Sequence, residues 1–400
     1  MRVLLADKLS DSVVSNLQGA GCEVKMIPEL KGESLTAELA AFQPEVLVVR
    51  STKVLAADFS VATGLELVVR AGAGYDNVDV STASARGVFV ANCPGKNSAA
   101  VAELAIGLIL ALDRSIPDNV MDARNGVWNK ALYGKSDGVK GKTLGVVGLG
   151  NIGKEVIQRA KGLYMNVVAW SRSMTDAKAA ALGVTALDSP LDVAAEADIV
   201  SLHVSSNAET KGLAGTAFFE AMKQGAFLIN TTRGAVVDED AMLNAIADKN
   251  IRVGLDVFSN EPAFKSGDFK HSLADNPNVY LTHHIGASTA QAQEAIAEEA
   301  GRVIVEYSRT GDVPNCVNLA TKTAATHQIT IRHLDKVGVL AKVLNEISVA
   351  SWNIQEMENV VFDEAKAACA YIRFDGIPDD TVVDRISDLD DVLAVNIVTL

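Results

Sequence analysis

The chain has 400 residues, of which 48% are hydrophobic and 22% are charged, and its formal net charge is −14. This length and composition predict two or three globular domains of an ordinary water-soluble protein. The acidic total argues against nucleic acid as a partner, because a phosphate backbone requires a basic surface.

Neither the cysteines nor the apolar runs indicate export or a membrane. The four cysteines are far apart and lack the spacing of a disulfide framework or a zinc site, which is typical of a reducing compartment. The first residues, MRVLLADKLS, indicate a strand and lack the layout of a signal peptide. The longest apolar run, Ala99 to Leu112, carries Glu103 and is too short to cross a bilayer. We expect a cytoplasmic protein without membrane contact.

Short apolar strands alternate with helical segments over the first 320 residues. The runs RVLLA, EVLVV, LELVV and VFVAN come first, and LGVVG, NVVAW, DIVSLHV, AFLINTT, RVGLDV and VYLTHH follow. Continuous apolar strands separated by helices predict parallel sheets that are covered on both faces. Because the strands are too many for one sheet, we expect an α/β fold with two doubly wound, Rossmann-like units, joined by a helix from about Ser98.

The pattern changes after Ala320. A polar linker, ATKTAATHQ, leads into a strand, a helix, two strands around the turn DEAKA, a helix and a final strand. This βαββαβ order predicts a ferredoxin-like unit over residues 327–400.

A glycine loop follows the first strand of the second Rossmann-like unit. Gly148, Gly150 and Gly153 have GxGxxG spacing between a predicted strand and a predicted helix. The first glycine permits a tight turn, the second lets the backbone approach a pyrophosphate, and the third lets helix pack on strand. The helix N-terminus, at Asn151 and Ile152, supplies free N–H groups and a partial positive charge. We predict a dinucleotide site at this loop.

The next strand, NVVAW, does not end in the acidic residue that usually binds the adenosine ribose. It continues with Ser171, Arg172 and Ser173. NAD could bind through Ser171, whereas Arg172 could attract the 2′-phosphate of NADP, so the cofactor preference stays open.

Three polar stretches follow later strands, at the edge where a parallel sheet binds its ligands. They carry Arg233, then Asp256 with Glu261, and then His284. An arginine binds a carboxylate through a two-point contact. A histidine exchanges a hydroxyl proton near neutral pH, and a neighbouring carboxylate raises its pKa. These residue types suit hydride transfer at a 2-hydroxy acid.

The motifs together resemble the D-isomer-specific 2-hydroxyacid dehydrogenases. The matching stretches are GLGNIG, TTRG, SNEP and HIG, and RAGAGYDNVD looks like the family's substrate loop. The resemblance covers about residues 1 to 318 and implies that Arg233, Glu261 and His284 form a catalytic triad. It further implies a discontinuous substrate-binding domain, residues 1–97 and 288–318, around an NAD(P)-binding domain, residues 98–287.

Other site residues also come from the resemblance. His203 and Thr232 would line the cofactor cleft, and Asp256 would contact the nicotinamide amide or simply cap its strand. His283 stands where relatives usually have proline, and we interpret it as a neighbour that points away from the site. We do not interpret the two histidines as a zinc pair, because no further ligand recurs nearby, and we expect no metal.

The predicted substrate site combines a loop and several basic residues. The amides of Gly72, Ala73 and Gly74 suit a carboxylate. Family members that oxidise 3-phosphoglycerate carry a similar Arg-Ser stretch and Asn-Lys pair, whose basic residues bind the phosphate. The corresponding residues here are Arg50, Ser51 and Lys130, for which a solvated surface is the alternative.

Residues 327–400 resemble an ACT domain, a regulatory module that binds amino acids. In relatives that oxidise 3-phosphoglycerate this module binds serine as an inhibitor, and the matching positions are His333, Asp335 and Asn353. Relatives often have asparagine at the position of Asp335. A dimerising sheet that binds nothing is the alternative.

The combined resemblance implies oxidation of 3-phosphoglycerate to 3-phosphohydroxypyruvate with NAD, in a homodimer or homotetramer. A glyoxylate or hydroxypyruvate reductase of the same family is the nearest alternative. A dinucleotide-sensing regulator is a third possibility, disfavoured by the complete triad.

Overall fold

The computed structural model describes residues 1–262 and 266–400. It contains two compact units, Met1–Asn318 and Leu319–Leu400. Two parallel sheets lie in the first unit and an antiparallel sheet lies in the second, so the predicted fold class is confirmed.

The first sheet has five parallel strands in the order β2-β1-β3-β4-β5. They are β1 (Arg2–Leu5), β2 (Glu23–Met26), β3 (Val46–Val49), β4 (Leu67–Arg70) and β5 (Phe89–Asn92). The connecting helices are α1 (Asp11–Gly19), α2 (Glu33–Phe42), α3 (Ala56–Val61) and α4 (Val80–Ala85). The buried strands are rich in valine and leucine because helices cover both of their faces.

Three helices follow: α5 (Ser98–Arg114), α6 (Ile116–Arg124) and α7 (Lys130–Tyr133). Helix α5 buries Ile109 and Leu112 in a core that it shares with Val146, Val156 and Ile157. The long apolar run is therefore a buried helix. No helix in the two described segments is long and apolar enough to cross a membrane.

The second sheet has seven parallel strands in the order β12-β11-β10-β9-β6-β7-β8. They are β6 (Thr143–Val147), β7 (Asn166–Trp170), β8 (Thr185–Ala186), β9 (Ile199–Leu202), β10 (Phe227–Asn230), β11 (Arg252–Leu255) and β12 (Val279–Leu281). The helices between them are α8 (Asn151–Gly162), α9 (Asp176–Leu182), α10 (Pro190–Glu196), α11 (Thr216–Ala221) and α12 (Glu239–Lys249).

Both sheets reverse their strand order at one point. In the first sheet β1 lies between β2 and β3, and in the second β6 lies between β7 and β9. The loops at the carboxyl ends of such neighbours diverge and leave a crevice, which is where open parallel sheets bind ligands. The fold therefore offers one crevice beyond β1 and β3 and another beyond β6 and β9.

Helix α13 (Ala290–Thr310) packs against the first sheet. Its Ile296, Val303 and Ile304 share a core with Val3 and Leu5. The chain thus returns to its N-terminal sheet after the last strand of the second one. The division of residues 1–318 into two domains stays a prediction.

The second unit has the βαββαβ order. Its elements are β13 (His327–Leu334), α14 (Val339–Val349), β14 (Asn353–Val361), β15 (Ala367–Asp375), α15 (Asp380–Ser387) and β16 (Val392–Thr399). The strands are antiparallel in the order β14-β15-β13-β16. Phe374 is fully buried and stacks on Trp352 with 4.3 Å between ring centroids, so this unit has an aromatic core of its own.

Phe374→Ala should destabilise the Leu319–Leu400 unit by about 3–5 kcal/mol, because it removes a fully buried ring and leaves a cavity. Hydrogen exchange at increasing guanidinium concentration should show earlier loss of protection in this unit alone. Ile377→Ala is the control, since that side chain is exposed. An equal loss of protection throughout Met1–Asn318 would contradict the prediction.

Candidate active site

The glycine loop after β6 cannot accept larger side chains at two positions. Gly148 has φ +105°, and a Cβ there would overlap the His203 carbonyl. A Cβ on Gly153 would overlap the Gly148 carbonyl. Around Gly150, by contrast, an added Cβ would meet no atom within 4 Å. The loop is therefore closely packed against the protein at Gly148 and Gly153 and open to solvent at Gly150. A loop that binds a ligand's phosphates requires this arrangement.

The first turn of α8 faces this loop. Its first intrahelical bond runs from the Lys154 amide to the Gly150 carbonyl, at 3.2 Å. The amides of Asn151 and Ile152 precede that bond, so they remain available to an anion at the helix N-terminus.

The end of β7 carries the residues predicted to meet the adenosine ribose. The buried Ser171 hydroxyl has no hydrogen-bond partner within residues 1–262 and 266–400. Arg172 is exposed and pairs with Glu209. A carboxylate therefore lies beside Arg172 although the strand itself does not end in one, which weakens the attraction of this arginine for a 2′-phosphate.

His203 and Thr232 lie at the ends of β9 and β10. His203 is buried, its Nε2 lies 2.8 Å from the Ser201 hydroxyl, and burial lowers its pKa to about 4. The ring is thus neutral at physiological pH.

The turn after β10 is held by Asn230. The Thr232 backbone amide and hydroxyl donate to Oδ1 of Asn230, at 3.0 and 2.7 Å. The Asn230 side-chain amide donates to the Arg233 carbonyl at 3.0 Å. Asn230 therefore shapes the turn that begins with Thr231.

Buried polar atoms that have no partner in the described part of the chain lie along this edge of the sheet. They include Ser171 Oγ, His203 Nδ1 and Thr231 Oγ1. Buried polar atoms ordinarily have a partner, so an edge that leaves these unmatched is suited to a polar ligand. Together with the open glycine cradle, the residues fit a nicotinamide dinucleotide.

Arg233 follows this turn and reaches the loop after β4. Its Nη2 and Nε donate to the Asp76 carboxylate at 2.8 and 3.3 Å, and its Nη1 donates to the Thr232 carbonyl at 2.8 Å. The side chain remains about 30% exposed. The guanidinium is thus fixed in orientation and accessible.

Glu261 and His284 form a direct pair. Nδ1 of His284 lies 2.7 Å from Oε2 of Glu261, and Oε1 accepts from the Phe258 amide at 3.2 Å. The hydrogen bond to Glu261 raises the pKa of His284, although burial opposes it, and the nearby Arg233 lowers it slightly. The ring is half exposed. Arg233, Glu261 and His284 therefore lie in one cluster, in which the carboxylate holds the imidazole by one nitrogen.

Asp256 supports this cluster from below. Its Oδ1 accepts from the Thr282 hydroxyl at 2.6 Å and the Ile285 amide at 2.9 Å, while Oδ2 accepts from the Gly286 amide at 2.8 Å. The His284 amide donates to its backbone carbonyl at 3.0 Å. Asp256 therefore anchors the turn that carries His284, in line with the strand-end cap weighed above; a nicotinamide contact stays a prediction.

His283 is exposed beside this turn. No group of three or more His, Cys, Asp or Glu side chains in the described part of the chain is arranged to hold a metal ion. His284 itself has φ +52°, a left-handed conformation that is unusual for a residue with a Cβ.

The loop after β4 is built around two guanidinium groups. Added Cβ atoms on Gly72 and Gly74 would overlap the side chains of Arg70 and Arg233, respectively. The Gly72 amide donates to the Arg70 carbonyl at 2.8 Å, so it is already engaged. The predicted carboxylate contact would therefore rest on the amides of Ala73 and Gly74.

The loop after β3 carries Arg50 and Ser51 and is held by Asp7. Its carboxylate accepts from the amides of Arg50, Ser51 and Thr52, at 2.7, 3.1 and 3.1 Å. These backbone contacts lower the pKa of Asp7 although burial opposes them. A cavity of about 420 Å³ beside the loop is lined by Lys8, Arg50 and the start of α13. It lies at the crevice beyond β1 and β3.

Lys130 stands apart from these residues. It begins the short helix α7, and its side chain is exposed. The structure gives it no ion pair among the residues that it describes. Its assignment to the substrate stays a prediction.

The three predicted effector positions are not brought together within the chain. Buried His333 lies at one end of the four-stranded sheet, with Nε2 3.1 Å from Oδ1 of Asn359, and exposed Asp335 follows it. Asn353 pairs with Asp375 at the other end of the sheet. Asn359, the side-chain partner of His333, was not predicted from the sequence.

Residues 106–286 match the family described as D-isomer specific 2-hydroxyacid dehydrogenase, NAD binding domain. The chain is 36% identical over 353 residues to the D-3-phosphoglycerate dehydrogenase of Archaeoglobus fulgidus, which covers 86% of this chain and 64% of that protein. It is 36% identical over 370 residues to the D-3-phosphoglycerate dehydrogenase of Mycobacterium tuberculosis. That match covers 91% of this chain and 68% of the mycobacterial protein.

A solved structure is also similar. The NAD+-bound 3-phosphoglycerate dehydrogenase of Entamoeba histolytica superposes with a TM-score of 0.67 at 25% identity, over 80% of this chain and 99% of that one. The chain spans about two thirds of the length of the archaeal and mycobacterial relatives.

Gly150→Ala should leave the melting temperature unchanged yet weaken NADH binding about tenfold or more, because the methyl group enters the open side of the cradle. Fluorescence titration with NADH and thermal unfolding measure the two effects. Gly162→Ala, at the other end of α8 and also in open space, is the control. Unchanged NADH affinity in Gly150→Ala would show that the ligand does not approach this residue.

Glu261→Gln should lower the pKa of His284, because it removes the carboxylate that stabilises the imidazolium. His284 then loses its proton at lower pH than in the unaltered protein. NMR titration of the imidazole C–H signals measures the change, with His284→Gln to assign the resonance. Glu294→Gln is the control, and an unchanged His284 titration in Glu261→Gln would contradict the pairing.

Proposed function

Because this chain belongs to the D-isomer-specific 2-hydroxyacid dehydrogenase family, we propose that it is a D-3-phosphoglycerate dehydrogenase. It would oxidise 3-phosphoglycerate to 3-phosphohydroxypyruvate with NAD, the first step towards L-serine. The observation that carries the proposal is the 2.7 Å contact between His284 and Glu261, in one cluster with Arg233.

The proposed mechanism assigns one task to each of three side chains. Arg233 binds the substrate carboxylate, for which a guanidinium is the best two-point partner. His284 takes the hydroxyl proton at its free Nε2, because Glu261 engages Nδ1. Glu261 stabilises the imidazolium that results.

The nicotinamide, when bound, supplies a hydride acceptor. The glycine loop and the N-terminus of α8 would hold its pyrophosphate, and Ser171, His203 and Thr231 would meet its other polar groups. The neutral, buried His203 adds no charge to that pocket. Glu209, paired with Arg172, supports NAD over NADP.

The phosphate of the substrate would lie in the crevice beyond β1 and β3. Arg50 and Lys8 line the cavity there, and Asp7 already satisfies the backbone amides of the loop. Side-chain cations are therefore left to bind the phosphate.

The remaining expectations form part of the same proposal. A homodimer or homotetramer is supported by the exposed Met121, Trp128 and Leu132, since exposed apolar side chains close in sequence mark contact surfaces. The ACT-like unit would bind an amino-acid effector such as serine. The four free cysteines support a cytoplasmic location.

The two alternatives make different demands on the site. A glyoxylate or hydroxypyruvate reductase would have no use for a phosphate pocket. A purely dinucleotide-sensing regulator would have no use for the His284–Glu261 pair.

The proposal is tested by initial rates of NADH and NADPH oxidation with 3-phosphohydroxypyruvate, glyoxylate and hydroxypyruvate, with and without L-serine. We expect NADH and the phosphorylated acid to be preferred and serine to lower the rate. A preference for glyoxylate or hydroxypyruvate would replace the proposal by the reductase. Turnover of none of them would favour the regulator.

Arg50→Met should raise KM for 3-phosphohydroxypyruvate about tenfold to a hundredfold, because it removes a charged hydrogen-bond donor to the phosphate. KM for hydroxypyruvate should not change. Lys53→Met, three residues on and exposed, is the matched control. Equal effects on both substrates would remove Arg50 from the phosphate site.

A further inference from the structure

The Arg233 guanidinium uses three of its N–H groups in contacts with Asp76 and Thr232. A guanidinium carries five N–H bonds. The contacts to Asp76 and to the Thr232 carbonyl use one on Nε, one on Nη2 and one on Nη1. One N–H on each terminal nitrogen has no partner among the described residues, and two such donors suit the two oxygens of a carboxylate.

The loop that carries Asp76 is shaped to this arginine. A Cβ on Gly74 would overlap Nη2 of Arg233 and would lie 3.1 Å from Oδ1 of Asp76. Asp76 follows β4 of the five-stranded sheet, whereas Arg233 follows β10 of the seven-stranded sheet. The ion pair therefore fixes a side chain of one sheet against the loop of the other.

The charges around Asp76 also match a substrate carboxylate. Burial, with a smaller effect of Arg233, lowers the pKa of the neighbouring Arg70 to about 10, and Asp76 opposes this change. The hydrogen bond from Arg233 holds the pKa of Asp76 below its usual range, so its carboxylate stays ionised. Two guanidinium groups beside one carboxylate leave a single net positive charge, which one further carboxylate neutralises.

We propose that Asp76 is a positioning residue, which holds the Nε–Nη2 edge of Arg233 and so presents the remaining N–H groups to the carboxylate of the substrate. The inference rests on the proposed function in taking the ligand of Arg233 to be the carboxylate of a 2-hydroxy or 2-keto acid. Asp76 itself touches no reacting atom and acts through Arg233.

The test compares Asp76→Ala and Asp76→Asn with the unaltered protein. Asp76→Ala should raise KM for the 2-keto acid about tenfold to a hundredfold, because Arg233 loses its charged partner and is then held, among the described residues, only through Nη1 by the Thr232 carbonyl. Asparagine keeps one acceptor oxygen, so Asp76→Asn should recover part of the loss. The kcat value should fall less than KM rises, and NADH affinity and melting temperature should not change.

Asp79→Asn is the matched control, because Asp79 lies in the same loop region and caps α4 through the Thr82 amide at 3.0 Å. Asparagine is an equally good cap, so this variant should behave as the unaltered protein. A lower KM in Asp76→Ala would mean that Asp76 competes with the substrate for Arg233, and it would overturn the proposal. Parallel losses of NADH affinity and thermal stability would overturn it in favour of a structural role.

The test also separates this inference from the proposed function. Kinetics use whichever 2-keto acid the protein reduces best, so a preference for glyoxylate would remove the phosphoglycerate proposal, and KM for glyoxylate in Asp76→Ala would then test the role of Asp76. Binding of oxamate to the NADH complex, followed by fluorescence, needs no turnover. Asp76→Ala should weaken it about tenfold or more, and unchanged oxamate affinity would overturn the inference.

Discussion

The carboxylate of Asp256 is the contact on which the arrangement of the site depends. It is almost fully buried and accepts three hydrogen bonds from the segment that carries His284. A buried carboxylate is costly unless such donors satisfy it, and the carboxylate in turn satisfies the Ile285 and Gly286 amides just beyond the end of a strand. The requirement is mutual, and it fixes where the imidazole emerges from the sheet.

Two other strand ends use the same arrangement. Asp7 accepts the amides of Arg50, Ser51 and Thr52, and Asn230 accepts the amide and hydroxyl of Thr232. In each case the acceptor ends a buried parallel strand or lies within two residues of its end. The loops beyond the sheets are thereby held rigidly, which matters because side chains that act on a small acid must be placed within a fraction of an ångström.

Much of the fold could be predicted from the alternation of strands and helices. Two strands of the parallel sheets, β2 and β8, were not predicted, and each has a physical reason. Strand β2 is an edge strand with the polar sequence EVKM, and β8 has only two residues. Neither gives the apolar signal that marks a buried strand.

The site could be predicted in part. GLGNIG, TTRG and HIG are short continuous motifs, so their site residues can be identified from the sequence alone. The partners of Arg50 and Arg233 are not local: Asp7 lies 43 residues from Arg50, and Asp76 lies 157 residues from Arg233. Such pairs depend on how two loops meet in space. Asp76 lies in RAGAGYDNVD, so the motif identified the loop. It did not predict the ion pair between Asp76 and Arg233.

The left-handed backbone of His284 has a consequence for how this chain could change. A side chain with a Cβ costs roughly 1–2 kcal/mol in that conformation, whereas glycine adopts it freely. Selection for folding alone would therefore favour losing the imidazole at this position. A lineage released from the need for proton transfer could gain robustness by that one replacement and would keep the cofactor cradle intact. At His284, proton transfer requires an imidazole, whereas the backbone conformation favours glycine. A non-catalytic descendant of this fold would therefore first diverge at this position.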